Sequence, residues 1–167
     1  MTERSAGLDG FDELSARLTY PVYVVTAAAG DEHEGCLVGF ATQCGIDPVR
    51  TLICLSNKNR TTRIAGKATH LGVNVLADEN RDIAELFGGE TGDDVNKLSW
   101  CRWRPGPGGA PILTSAAAYY IGLILDRVTL GDHVGHLVEP VDSWCRPEAF
   151  DYVDFAAVRD LDPGHEA

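Results

Sequence analysis

The sequence predicts a mainly β protein, in which an antiparallel barrel carries short helices between its strands or at its ends. Strand-type segments dominate the chain, and its helical segments are shorter than the ten or more residues typical of parallel α/β folds. A closed barrel also removes the exposed edge strands of a sheet-rich domain of this size. With 167 residues we expect a single domain over residues 1–167, with its core over about 18–155 and an acidic tail over 156–167.

The N-terminal half predicts one helix, a succession of strands and a second helix. Residues 10–18 place Phe11, Leu14 and Leu18 on one face of an amphipathic helix. Segments rich in Val, Tyr, Thr or Ile predict strands over 20–28, 34–38, 51–55 and 70–76. A polar turn over 30–33 separates the first two strands, a small-residue loop over 39–48 follows the second, and residues 60–67 predict a helix.

The C-terminal half predicts one more helix and two longer strands. An N-cap within residues 78–80 precedes the apolar positions 83–87, and Gly88-Gly89 ends this helix. Residues 91–109 form an irregular region that contains Trp100 and Trp103. Strands over 116–128 and 133–139 follow, joined at residues 130–132, and the tail from residue 147 is acidic and aromatic.

Composition excludes several kinds of partner. The formal net charge is −11, so a phosphate must be held by a few local donors, and nucleic acid is not expected as a partner. No apolar run approaches the ~20 residues that span a membrane, and residues 1–10 are too polar for a signal peptide. The five cysteines lack a Cys-x-x-Cys pair, which favours reduced thiols and a cytoplasmic location. The histidines show no metal-ligand spacing, so no metal site is expected.

Residues 35–48 form a small-residue segment that ends in Asp47-Pro48. Gly39, Ala41 and Gly45 allow a ligand to approach the main chain closely. Thr42, Gln43 and the backbone amides can hydrogen-bond a planar ring system. The same composition is also typical of a Gly-rich strand with a bulge. The residues alone leave both interpretations open.

Residues 56–62, Ser-Asn-Lys-Asn-Arg-Thr-Thr, follow a predicted buried strand and begin a helix. Free N–H groups and hydroxyls would face outward at a positive helix end. Lys58 and Arg60 supply local charge that the acidic chain otherwise lacks. The pattern predicts a phosphate site, and it is equally typical of an ordinary polar helix start with solvated charges.

The segment Gly131-Asp132-His133 lies between the two long C-terminal strands. An imidazole suits proton handling near neutral pH, since the unperturbed pKa of histidine is about 6.5. Asp132 and His133 are also common turn residues, which is the alternative interpretation. Together with residues 35–48, this segment points to a nucleotide-type cofactor held by backbone, with His133 near its reactive end.

Seven motifs in this order resemble the flavin reductase-like, FMN-binding split-barrel proteins. They are residues 20–26, 35–48, 55–61, 72–77, 83–87, 109–113 and 131–133, and together they cover roughly residues 20–155. The resemblance implies a homodimeric, antiparallel split β-barrel with flavin at the subunit interface. It also implies an NAD(P)H-dependent flavin reductase, in which NADH or NADPH reduces FMN or FAD for a partner flavin-dependent monooxygenase.

The resemblance assigns roles to individual residues. The isoalloxazine ring would lie against the residues around the end of the second strand, Val38, Gly39, Phe40, Gln43 and Cys44. The phosphate would meet Ser56, Lys58, Asn59, Arg60 and Thr61. Leu86 and Phe87 would flank the flavin. His133, with Asp132 beside it, would orient the nicotinamide or supply a proton. Several of the ring-contact positions often carry hydroxyl residues in the family, which bears on the choice between FMN and FAD.

Two other functions stay open from the sequence. The chain could hold FMN as a prosthetic group without reducing free flavin, which tight retention of FMN through purification would indicate. It could also be a structural or interaction barrel that has lost the site, since fold does not fix function. A protein that never quenches flavin fluorescence would indicate that second alternative.

Overall fold

The computed structural model describes residues 8–164; residues 1–7 and 165–167, with His165 and the end of the predicted tail, lie outside the described residues. The helices are α1 (Asp9–Arg17), α2 (Arg60–Ala65), α3 (Arg81–Gly89) and α4 (Phe155–Val158). The strands are β1 (Tyr23–Ala29), β2 (Glu32–Val38), β3 (Ala41–Ile46), β4 (Val49–Ser56), β5 (His70–Val75), β6 (Trp103–Pro105), β7 (Pro111–Leu113), β8 (Ala118–Leu130) and β9 (His133–Cys145). Short 3₁₀ turns cover Asp78–Asn80, Lys97–Trp100 and Pro107–Gly109.

Seven strands form one antiparallel sheet, whose order is β2-β1-β5-β8-β9-β4-β3. Its two edge strands, β2 and β3, are consecutive in the chain and are joined by residues 39–40 alone. The sheet therefore curves until its edges meet at this link, although no ladder between β2 and β3 is found among the described strands. The predicted mainly β, antiparallel split-barrel fold with short inserted helices is confirmed.

The predicted loop over residues 39–48 is wrong, because residues 41–46 form β3 and pair with β4. The register shifts between Gln43 and Gly45, so the alternative interpretation of a Gly-rich strand with a bulge is confirmed. A Cβ atom at Gly45 would lie 2.9 Å from the carbonyl oxygen of Pro48, which explains the small residue at the bulge. The cis Asp47-Pro48 peptide then forms the turn into β4.

Two further details differ from the sequence predictions. Residues 78–80 form a 3₁₀ turn, and Asn80, which precedes α3, makes no side-chain capping hydrogen bond. The region over 91–109, predicted as irregular, contains β6, which pairs with β7 as a separate two-stranded sheet. Strands of three residues are too short to show the alternation by which a sequence reveals a strand.

Helix α1 is amphipathic as predicted, but its apolar face is exposed in the single chain. Phe11, Leu14 and Leu18 are 63%, 52% and 54% exposed. The hydrophobic core lies elsewhere, beneath the sheet and α3. None of the helices between residues 8 and 164 has the length and apolar character needed to cross a membrane.

Candidate functional site

A cavity of about 400 Å³ opens where the two edges of the sheet meet. One wall comes from the end of β2 and the link after it, and a second from the ends of β4 and α3. The segment from α4 to Gly164 supplies a third wall. This volume lies within the range of pockets that bind cofactors and other small ligands.

His133 is brought to the cavity by the β4–β9 ladder, in which it pairs with Ser56. Its Nδ1 lies 2.7 Å from Oδ1 of Asp132, and this hydrogen bond lowers the pKa of the Asp132 carboxyl. The ring centroid of His133 is 5.3 Å from that of Phe40. Because Nδ1 is engaged by the carboxylate, Nε2 is the nitrogen available to a ligand.

Aromatic side chains form much of the apolar surface of the cavity. Tyr20 stacks on Phe155, with ring centroids 4.9 Å apart and planes 11° apart, and lies 6.4 Å from Phe40. A Cβ atom at Gly39 would come within 2.6 Å of Cε2 of Tyr20, so the glycine makes room for this ring. Phe87 is 2% exposed and forms the floor of the cavity against the core.

Two thiols, Cys36 and Cys54, also line the cavity. Burial raises the pKa of Cys36 to about 11, against a smaller opposite effect from its hydrogen bond with Thr61. Burial also raises the pKa of Cys54. Both side chains are therefore neutral near pH 7 and contribute small apolar surfaces instead of a reactive thiolate.

The structure brings half of the predicted site residues to the cavity. Those that line it are Val38, Gly39, Phe40, Ser56, Asn59, Phe87 and His133. Asp132 touches the cavity only through His133. Those that lie outside the lining are Gln43, Cys44, Lys58, Arg60, Thr61 and Leu86.

Strand geometry and packing explain why some predicted residues lie elsewhere. Gln43 and Cys44 are exposed on edge strand β3, and the Gln43 amide donates to the carbonyl of Gly45 at 3.0 Å. Thr61 is 1% exposed and is directed to the thiol of Cys36. Leu86 lies on α3, where it is half-buried and packs against the core.

Arg60 belongs to a charged cluster on the far side of β2. Its Nη1 donates to the carbonyl of Gly92 at 3.1 Å, and its Nε lies 3.8 Å from Oε2 of Glu34. Oε1 of Glu34 lies 3.9 Å from Nζ of Lys97, and both side chains are almost fully buried. Burial lowers the pKa of Lys97. Arg60 therefore balances a buried carboxylate and does not face the cavity.

Sequence reasoning missed Tyr20 and the wall formed by the C-terminal segment, including Phe155 and Arg159. Tyr20 lies within the motif over residues 20–26, but its neighbours in the sequence predict only the start of a strand. The aromatic residues of the acidic tail were the available signal, because a solvated tail rarely needs several large apolar side chains.

The lining fits a planar, phosphate-bearing ligand of the kind that the sequence predicts. Val22, Val38, Phe40 and Phe87 offer apolar surfaces to a ring system. Ser56, Asn59, His133 and Arg159 offer hydrogen-bonding groups around them. Ligand pockets combine such apolar walls with a few polar groups that fix orientation.

Comparisons with known proteins agree with this description. The model of the family described as "flavin reductase like domain" matches residues 15–158. The reductase subunit Stc3 of stachydrine N-demethylase from Rhizobium meliloti (strain 1021) is 27% identical over 132 residues. That match covers 75% of this chain and 56% of Stc3, so the chain spans little more than half of that relative's length.

Two further proteins are similar over most of their own length. RutF of Stutzerimonas stutzeri (strain A1501), named an FMN reductase (NADH), is 26% identical over 125 residues, covering 75% of this chain and 71% of RutF. The solved structure of the NADH:FAD oxidoreductase SgcE6 from Streptomyces globisporus C-1027 superimposes with a TM-score of 0.78 at 24% identity. It covers 89% of this chain and 91% of that one, and at this identity it supports the fold alone.

Proposed function

The chain belongs to the flavin reductase like domain family, and we propose that it is an NAD(P)H-dependent flavin reductase that reduces FMN or FAD. The observation that carries the proposal is the cavity at the meeting sheet edges. It combines apolar and aromatic walls with Ser56, Asn59 and His133. RutF is named an NADH-dependent FMN reductase, and its similarity to this chain supports the same reaction class.

The bound flavin would supply the redox chemistry by accepting a hydride from the nicotinamide. Val38, Phe40 and Phe87, which line the cavity, would bind the ring system by apolar contact and exclude water from it. Ser56 and Asn59 would donate hydrogen bonds to the polar part of the ligand. His133, whose Nδ1 is held by Asp132, would direct Nε2 to the nicotinamide carboxamide or hold a proton beside the ring.

An anaerobic assay tests this function directly. NADH and NADPH oxidation are measured with FMN, FAD and riboflavin in turn, after the purified protein has been analysed for retained flavin. Turnover of added flavin well above the protein concentration is the expected result. Stoichiometric FMN that survives purification, with little oxidation of NAD(P)H on adding free flavin, would instead favour the prosthetic-group alternative. Absence of flavin binding would favour a barrel without the site.

We also propose that a partner protein consumes the reduced flavin that this reaction produces. Stc3 is named as the reductase subunit of a demethylase, and HsaB of Mycobacterium tuberculosis, 29% identical over 105 residues, as the reductase subunit of a flavin-dependent monooxygenase. The name of HsaB supports the proposal of a partner flavin-dependent monooxygenase.

We further propose that the chain forms a homodimer through the outer face of β8 and β9. Val128 and Leu130 are 47% and 43% exposed, and both lie over Gly135, where a Cβ atom would meet them at 3.0 and 2.8 Å. Leu52 approaches the same glycine. A second copy would cover this apolar patch and complete the wall of the open cavity, since contiguous exposed apolar surface is typical of interfaces.

Val128→Glu is expected to shift the protein from dimer to monomer, because it buries a charge in the proposed interface. Light scattering coupled to gel filtration at micromolar concentration measures the change. Thr129→Glu is the matched control, since neighbouring strand residues point to opposite faces. A wild-type protein that runs only as a monomer, with or without flavin, would contradict the proposed dimer.

His133→Ala is expected to raise KM for NAD(P)H or slow hydride transfer by about three- to tenfold, the effect of one neutral hydrogen bond. Flavin affinity should stay nearly unchanged. Stopped-flow reduction of bound flavin measures the rate, and His70→Ala, outside the cavity lining, is the control. A far larger loss with a changed pH profile would indicate proton transfer by His133. Identical traces for wild type and variant would remove His133 from the site.

A further inference from the structure

We propose that Arg159 binds the phosphate of the ligand in the cavity, the role that the sequence motif assigns to Lys58 and Arg60. The proposal rests on the proposed function, because it requires a phosphate-bearing flavin or nicotinamide nucleotide in this cavity. A chain with a net charge of −11 attracts no anion through its overall field, so a phosphate needs a cation placed at the site.

Arg60 is already engaged on the other side of β2. Its Nη2 lies 3.7 Å from Glu32, its Nε 3.8 Å from the buried Glu34, and its Nη1 donates to the Gly92 carbonyl. It lines a second cavity of about 330 Å³, whose other lining residues include Asp31 and both of these glutamates. A phosphate bound there would face three carboxylates, whereas the lining of the first cavity, within the described part of the chain, contains one acidic residue, Glu90, so the second cavity repels the anion more strongly.

Lys58 lies outside the cavity lining and is exposed to solvent. Its charge acts on the exposed carboxylate of Asp132, whose pKa it helps to lower. Arg159 is also exposed, so water screens both cations, and what separates them is their position relative to the cavity lining. Lys58 is therefore a weaker candidate than a cation in the wall of the cavity.

Within residues 8–164, Arg159 is the one lysine or arginine that lines the cavity. It follows α4 directly, and its Nη1 donates to the carbonyl of Ala16 at 2.8 Å. Its guanidinium carbon lies 5.6 Å from the ring centroid of Phe155, which itself stacks on Tyr20. The guanidinium is thus held by a hydrogen bond and a ring contact at the edge of the aromatic wall.

The remaining donors of Arg159 are available to an anion. A guanidinium has five N–H groups, and the bond to Ala16 uses one of them. Between residues 8 and 164, Arg159 forms no ion pair with a carboxylate, whereas Arg60 lies near both Glu32 and Glu34. The planar guanidinium matches a phosphate with two parallel hydrogen bonds, which a lysine cannot reproduce. This combination of position, fixed orientation and unused donors points to phosphate recognition.

Arg159→Ala is expected to raise the dissociation constant of FMN about tenfold, the effect of losing a charge-assisted contact. Riboflavin, which lacks the phosphate, should bind the variant as it binds the wild type. Binding is measured by flavin fluorescence quenching and by calorimetry, independently of turnover. Arg159→Lys should recover part of the affinity, and Arg102→Ala, an exposed arginine outside the cavity lining, is the matched control.

The same titrations with NADH identify the source of the phosphate. A tenfold loss for NADH with unchanged FMN binding would assign Arg159 to the nicotinamide nucleotide and still support phosphate recognition. Unchanged binding of both ligands would overturn the proposal, as would equal losses for FMN and riboflavin, which indicate a structural role. An FMN loss in Arg60→Ala alone would return the role to Arg60. A wild-type protein that binds neither FMN nor NADH would overturn the proposed function itself.

Discussion

Replacing Lys97 by methionine is expected to lower the free energy of unfolding by at most about 3–5 kcal/mol, the cost of breaking a buried ion pair, because Arg60 stays 3.8 Å from Oε2 of Glu34 and compensates part of its charge. The side chains of Lys97 and Glu34 are 2% and 4% exposed, and their charged atoms lie 3.9 Å apart. Lys97 also donates to the carbonyl of Glu90 at 3.2 Å and lies 5.6 Å from the Phe87 ring centroid. Urea unfolding followed by circular dichroism measures the loss.

The double variant Lys97→Met/Glu34→Gln separates the charge from the packing. It removes both charges and is expected to recover most of the stability, because replacing a whole buried pair is often close to neutral. Arg63→Ala, which breaks the exposed pair with Asp93, is the control and should cost about 1 kcal/mol or less. The single variants Lys97→Met and Glu34→Gln are measured as well. A double variant whose loss of stability equals the sum of these two losses would contradict coupling between Lys97 and Glu34.

Phe87→Ala is expected to cost about 3–5 kcal/mol of stability, since it removes a ring that is 2% exposed and leaves a space in the core. The ring also packs so tightly on β2 that a Cβ atom at Gly35 would lie 2.8 Å from its Cε1. Because Phe87 lines the cavity as well, the milder Phe87→Leu should weaken flavin binding while the protein remains folded.

Leu86→Ala is the matched control for this prediction. The sequence resemblance assigns the same role to both neighbours, but Leu86 lies outside the cavity lining and is only half-buried. Its loss should cost less stability and leave the flavin dissociation constant unchanged. Equal losses of flavin affinity in Leu86→Ala and Phe87→Leu would show that the effect reflects general loosening of α3.

Local chemistry allowed most of the fold to be predicted from the sequence. The β-branched residues of β4 and β5 and the apolar periodicity of α3 predict those elements at nearly their observed positions. Residues 39–48 were harder, because Gly, Thr and Gln suit a ligand loop and an edge strand equally well. Pairing with β4, a tertiary interaction, selects the strand.

Site residues could be predicted where the pairing of strands determines their position. They could not be predicted where a side chain can interact with several alternative partners. Ser56 and His133 could be recognised from motifs, and the β4–β9 ladder places them opposite each other. The direction taken by Arg60 depends on Glu34, a residue on another strand whose burial no local pattern reveals. The contribution of Arg159 likewise requires the tail to return to α1, which the sequence alone does not indicate.

The two-residue link between β2 and β3 has a consequence for the order in which the chain folds. The first edge of the sheet is a local hairpin of β1 and β2. Among the described strands β3 pairs with β4 alone, and β4 in turn pairs with the distant β9. Bringing these distant strands together lowers the conformational entropy of the chain before stabilising contacts form. We therefore expect the pairing of β3, β4 and β9 to form late in folding. Accordingly, we expect amide hydrogen exchange to be slower in β1 and β5, each of which pairs with a strand on both sides, than in the edge strand β3. The cavity would then be assembled last and opened first, with local fluctuations that admit a ligand while the rest of the sheet stays intact.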